Sequence, residues 1–223
     1  MLRAVAIGSC LSLLVAMPAW AGDISIYAGA YGGASLLTDN TVEIIDFEGG
    51  PVMQTFYLDY DSGLAAGVYG GVRITDMLRV GIEVAHRSGT LGELTSPGNI
   101  ITPGYSFDTS ATALLATGII DLPTGGAFTP YVGVGVGGAS FSAAGSIAPG
   151  DPSFDYDTEQ TGLAFMLKAG VAVKMTDQLS LTADYSYLHV SGLDAVISDF
   201  GFADKIGEDF GSHALSVGLM FDF

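Results

Sequence analysis

Gly211-Ser-His-Ala-Leu-Ser-Val-Gly-Leu-Met-Phe-Asp-Phe223 ends the chain, and its reading decides the fold. Leu215, Val217, Leu219, Phe221 and Phe223 recur at every second position. Ser212, Ala214, Ser216, Gly218 and Asp222 fill the alternate positions, with Met220 the one large apolar exception. Successive side chains of a strand point to opposite faces, so one face here is greasy and the other small or polar. A soluble domain rarely ends on its most hydrophobic face. A transmembrane β-barrel does, because its outer face meets lipid and its last strand closes on its first.

Working back from that strand, the same alternation recurs. Leu179 to Val190 reads as the seventh strand, with Asp184 on its polar face. Thr161 to Lys174 reads as the sixth, with Leu163, Phe165, Leu167, Val171 and Val173 outward and Lys168 and Lys174 inward. In the fifth, Phe128 to Phe141, Val132, Val134 and Val136 face out and glycines face in. In the fourth, Tyr105 to Ile120, Phe107, Ala111, Ala113, Leu115 and Ile119 are expected outward. The third, Leu78 to Arg87, alternates most cleanly, with Arg79, Glu83 and Arg87 on its polar face. The second, Phe56 to Ile74, puts Tyr69 and Arg73 on that face, and the first spans Asp23 to Ser35. Gly29, Gly32 and Gly33 fit a crowded or bent barrel wall.

Short turns at Thr75-Asp-Met, Asp121 to Gly126 and Thr176-Asp-Gln alternate with long, mostly acidic segments. Val72-Arg-Ile-Thr-Asp-Met-Leu-Arg-Val80 is echoed by Val173-Lys-Met-Thr-Asp-Gln-Leu-Ser-Leu181, which suggests two equivalent hairpins. The fold class predicted is all-β: an eight-stranded antiparallel up-and-down transmembrane barrel with short periplasmic turns and long extracellular loops. A soluble ligand barrel would reverse the faces.

Composition agrees. Mean hydropathy is +0.46, yet beyond residue 22 no apolar run reaches the roughly 18 residues of a transmembrane helix. Residues 1–21 read as a cleaved signal peptide: Arg3, an apolar stretch, then Ala19-Trp20-Ala21 as cleavage site. Residues 22–223 form the barrel domain. Cys10 is the one cysteine, so the mature chain has no disulfide or thiol chemistry. A net charge of −17 argues against nucleic acid as a partner.

The signal peptide, Asp59-Tyr60-Asp61-Ser62-Gly63, the Thr-Asp hairpins, Pro130-Tyr131-Val132-Gly133 and the terminal Phe223 together resemble the OmpA/OmpX-like eight-stranded barrels. Among these the opacity-type, or porin family, surface proteins are the nearest in character. The resemblance covers essentially the whole mature chain. It implies a location in the outer membrane of a Gram-negative bacterium, with both termini periplasmic. It also implies that Leu219, Phe221 and Phe223 form a C-terminal signal read by the barrel-assembly machinery. Outer-membrane lipid and lipopolysaccharide are the implied surroundings, with a host or surface ligand at the loops.

Arg73, Arg79, Glu83, Arg87, Lys168 and Asp184 are the candidate functional residues, as an interior charge network. A charge inside a narrow barrel has to be paired or hydrated. The network either fills the lumen or constricts a small pore. His189-Val190-Ser191 loosely resembles the His-x-Ser of outer-membrane lipid A deacylases, with Asp199 or Asp204 as orienting acids, but Gly192 stands where that family has Asn. Asp151, Asp155, Asp157 and Glu159 have spacing suggestive of Ca²⁺ but lack the EF-hand pattern. No catalytic, metal or cofactor site is therefore predicted. Phe128, Tyr131, Phe221 and Phe223 are expected in the periplasmic aromatic belt, and Phe56, Tyr60, Phe107, Tyr187 and Phe210 in the outer one. The expected function is a structural or surface-interaction, adhesin-like role through acidic loops. The alternatives are a small low-conductance porin and, behind it, a lipid A-modifying enzyme.

Overall fold

A computed structural model describes residues 25–38, 40–45, 52–96, 99–100, 106–146, 155–197, 204–207 and 209–223. Side chains are described over 25–38, 61–90, 108–144, 159–193 and 209–223. The predicted signal peptide and its cleavage site lie outside these residues.

The eight membrane strands are β1 (Ser25–Leu37), β2 (Gly63–Thr75), β3 (Leu78–Ser96), β4 (Ser106–Asp121), β5 (Phe128–Ser146), β6 (Asp155–Lys174), β7 (Leu179–Ser191) and β8 (Phe210–Asp222). Each pairs antiparallel with its sequence neighbour, and β8 returns to β1, with Tyr27 opposite Asp222 and Leu37 opposite Ser212. The ring has no free edge, so every wall strand finds its backbone partners without water.

The greasy face of β8 is the outer face. Leu215, Val217 and Phe223 are 66%, 62% and 72% exposed. Ile82, Val134 and Leu167 on other strands are just as bare. A soluble protein would bury such residues; here they form a continuous apolar belt for lipid. Leu219, Phe221 and Phe223 all lie on it.

One predicted face is reversed. Ala111, Ala113, Leu115 and Ile119 of β4 point inward and are buried, while Leu114 and Ile120 face out. Both faces of β4 carry large apolar residues, so hydrophobicity alone did not separate them. Its charged end does: Asp121 shares the face of Leu115 and is 2% exposed. Phe107 lies outside the described side chains.

The predicted long loops are partly strand. β3, β5 and β6 run 19, 19 and 20 residues. The segment Val52–Asp61 continues β2 across Ser62, pairing with the far end of β3 and with Asn40–Ile45. A further hairpin joins Asp194–Ile197 to Asp204–Gly207. Beyond the belt the outer face turns polar, as at Ser140 and Ser142, so the period-two hydrophobic signal fades. Backbone pairing needs no lipid and continues.

At the other end the turns are tight. The Thr75 hydroxyl accepts from the amides of Met77 (3.2 Å) and Leu78 (3.0 Å). The Thr176 hydroxyl does the same for Gln178 (3.3 Å) and Leu179 (3.0 Å). The sequence echo is thus a repeated side-chain-to-backbone turn. In the remaining turn Gly125 has φ of 75°, where a side chain would be strained. Thr75→Ala and Thr176→Ala are each expected to cost about 1 kcal/mol in urea unfolding. The two losses should add in the double variant, since the turns share no contact.

Candidate functional site

The lumen holds every charged candidate, in two layers. Nearest the short turns, Asp121 accepts from Arg79 Nη2 (2.6 Å) and Nε (2.8 Å) and from Arg73 Nη1 (2.7 Å). Arg73 Nη2 donates on to Asp222 (3.0 Å), tying β2 and β4 to β8. Arg79 also donates to the Met220 sulfur (3.1 Å) and lies over the rings of Tyr27 and Tyr131. Met220, the exception on the polar face of β8, is there as a partner for this guanidinium.

Further in, Lys168 Nζ donates to both oxygens of Glu83 (2.8 and 3.0 Å), and the Tyr31 hydroxyl donates to Glu83 Oε1 (2.8 Å). The ammonium stands over Tyr31 and Tyr69. Arg87 reaches the Ser186 hydroxyl (2.8 Å) and the His86 carbonyl (3.1 Å). Asp184 accepts from the Tyr131 hydroxyl (3.1 Å). Between the layers lies a cavity of about 10 Å³, lined in part by Tyr27, Tyr69, Thr182 and Asp184, with room for no more than one water.

Glycine makes space for this packing. Gly29 faces Tyr69 and Tyr31 faces Gly67 across the β1–β2 pair. A Cβ on either glycine would overlap the opposing tyrosine ring. Each ring therefore lies flat along the wall and offers its face to a cation.

Toward the long-loop end the lumen becomes apolar. Leu37, Leu115, Met166, Leu188, Val190 and Phe210 are buried against one another, with Phe141 packed on them. Two aromatic expectations are corrected here: Tyr131 and Phe210 are each 5% exposed and point inward, not into belts. Their positions alternate with outward Val132 and His213, and that alternation outweighs an aromatic's preference for strand ends. Phe128, Phe221 and Phe223 face outward at the short-turn end. Phe56 and Tyr60 lie outside the described side chains.

Of the predicted set, the structure joins Arg73 to Arg79 through Asp121, and Glu83 to Lys168. Arg87 and Asp184 sit nearby without an ion pair among the described residues. Lys174 pairs instead with exposed Asp177 at the turn (3.0 Å). Sequence reasoning assigned Asp121 to a turn and Tyr131 to a belt, placed Tyr69 on the polar face without a partner, and gave Tyr27 and Tyr31 no role. Asp222 was placed on the polar face but given no partner. Counting these, Arg73, Arg79, Arg87 and Lys168 are balanced by Glu83, Asp121, Asp184 and Asp222.

The other candidates are elsewhere. His189 Nε2 lies 3.5 Å from Asp209, and no hydrogen bond joins it to Ser191 among the described residues. The side chains of Asp199 and Asp204, and of Asp151, Asp155 and Asp157, lie outside the described residues. Glu159 accepts from Ser140 (3.1 Å). No metal-holding group is found among the described residues.

A closed eight-stranded wall, greasy outside and charged inside, defines a membrane-spanning β-barrel. The chain belongs to the outer membrane protein beta-barrel domain family, whose model matches residues 7–223, and the outer membrane is its location. It is 26% identical over 197 residues to an uncharacterized protein of Brucella abortus strain 2308, covering 72% of this chain and 69% of that one. Neisserial surface protein A has the same fold, with a TM-score of 0.53 and 18% identity over 91% of this chain and 100% of that one. A major outer membrane protein of Thermus thermophilus also shares it, with a TM-score of 0.58 and 14% identity over 91% of this chain and 100% of that one.

Proposed function

We propose that this protein is a non-conducting, non-enzymatic platform that presents acidic loops for surface interaction. The short turns and both termini face the periplasm and the long segments face outward. The observation that supports the reading is the packing of side chains in the lumen, which leaves a cavity of only about 10 Å³ between the charged layers. Among the described residues the lumen charges are balanced four against four, and Leu37, Leu115, Leu188, Val190 and Phe210 pack against one another inside the wall. Ions do not pass between closely packed apolar side chains without a desolvation cost. Because the described lumen charges cancel, the acidic excess of the sequence is carried outside them. A partner at the loops is accordingly cationic, or bridged by cations, and its binding weakens with salt.

The test is single-channel recording of the refolded barrel in a planar bilayer. Silence is expected from the wild type and from folded Glu83→Ala. Discrete openings that change with Glu83→Ala would make it a small pore. Orientation is checked separately, by labelling single-cysteine variants on intact cells. A cysteine within 147–154 should label, and one within 122–127 should not.

A further inference from the structure

Asp184 is a buried lumen acid that the protein leaves half-satisfied. Its Oδ2 accepts from the Tyr131 hydroxyl at 3.1 Å, but no group among the described residues donates to Oδ1. Thr182 Oγ1, two positions along the same face of β7, is also without a partner among the described residues. The two residues are 7% and 3% exposed, so bulk water does not reach them. A polar atom buried in this way costs free energy unless something hydrogen-bonds it.

Both residues line the cavity of about 10 Å³ between the charged layers. Lys168 of β6 and Tyr69 of β2 line it too. Lys168 Nζ directs two of its three hydrogens to Glu83, which leaves one, and the Tyr69 hydroxyl can donate as well. Two acceptors and two donors therefore border a space the size of one water. Arg87 and Ser216 also hold an unpartnered atom each, but neither lines this cavity.

The charges around the cavity limit what it takes. A bare cation would sit against Lys168 and Arg79, and an anion against Glu83 and Asp184. The occupant is accordingly neutral, able to donate to oxygen, and no larger than a water. We infer that one water is held here as a fixed part of the barrel. It donates to Asp184 Oδ1 and Thr182 Oγ1 and accepts from Lys168 Nζ, with Tyr69 as its fourth neighbour. Lys168 is then the counter-ion of two acids, of Glu83 directly and of Asp184 through the water. The series Tyr31, Glu83, Lys168, water, Asp184, Tyr131 joins β1, β3, β6, β7 and β5 in one network.

The test is a crystal structure of the refolded barrel at a resolution that shows ordered water. A density peak about 2.7–3.2 Å from both Asp184 Oδ1 and Thr182 Oγ1 is expected. An empty cavity, or a direct Lys168–Asp184 contact that closes it, would overturn the site. Thr182→Val is a second measurement, and its sign decides. It keeps the shape of the side chain and removes the hydroxyl. With the water in place the variant loses a hydrogen bond, and the urea unfolding equilibrium shifts about fivefold toward the unfolded chain. In a dry cavity the same change removes an unsatisfied hydroxyl, so unchanged or greater stability counts against the water. Thr182→Ser keeps the hydroxyl and should keep the density peak. Should Thr182→Val fail to fold, the wild-type density decides. Neither measurement reads a current, so this inference and the non-conducting lumen stand or fall separately.

Discussion

Asp121→Ala is expected to lower the unfolding free energy of the barrel by about 3–5 kcal/mol, the usual consequence of stranding a buried charge. Asp121 takes three hydrogen bonds from two arginines. Without it Arg73 keeps Asp222, but Arg79 keeps only a sulfur and two ring faces. The Arg79 side chain is 3% exposed, so water does not replace the lost carboxylate. Urea titration followed by heat-modifiable gel mobility reads the loss. Adding Arg79→Met should recover most of it, because the cost lies in the unpaired guanidinium and not in the absent bond. A loss below about 1 kcal/mol would mean that the pair behaves as a solvated surface bridge.

Gly33→Ala is expected to cost about 3 kcal/mol and to leave much of the chain unfolded, whereas Gly32→Ala is neutral or stabilising. The two glycines are adjacent but face opposite ways. A Cβ at Gly33 points inward and would overlap the Leu215 carbonyl of β8, whereas one at Gly32 points into open space. Backbone cannot swing aside as a flexible side chain can, so β1 and β8 would have to part where the ring closes. Folded yields of the two variants, compared by gel mobility, decide it. Equal yields would show that the seam between the first and last strands tolerates that separation.

Much of this architecture was legible because lipid outside and charge inside give opposite demands at successive residues. β3 and β8 show it best: Arg79, Glu83 and Arg87 alternate with Leu78, Val80, Ile82 and Val84, and Asp222 stands between two phenylalanines. β4 was not legible by that rule, because Leu114 and Leu115 are equally apolar and the lumen has an apolar layer of its own. The charge network was half legible. Its cations stand on clean polar faces, but Asp121 looked like a turn residue, and pairing across strands depends on register and not on spacing. Tyr131 escaped because an aromatic near a strand end suits a membrane belt as well as a lumen. Tyr131 shares its parity with Gly133 and Gly135, which does mark it as inward.

The Arg73–Asp222 bridge gives that closure a form of proofreading. Asp222 is flanked by Phe221 and Phe223, so if β8 met β1 one residue out of register, both rings would enter the lumen and the carboxylate would face hydrocarbon. Arg73 would lose one anion at the same moment. A misaligned seam is therefore penalised from both sides of the wall at once.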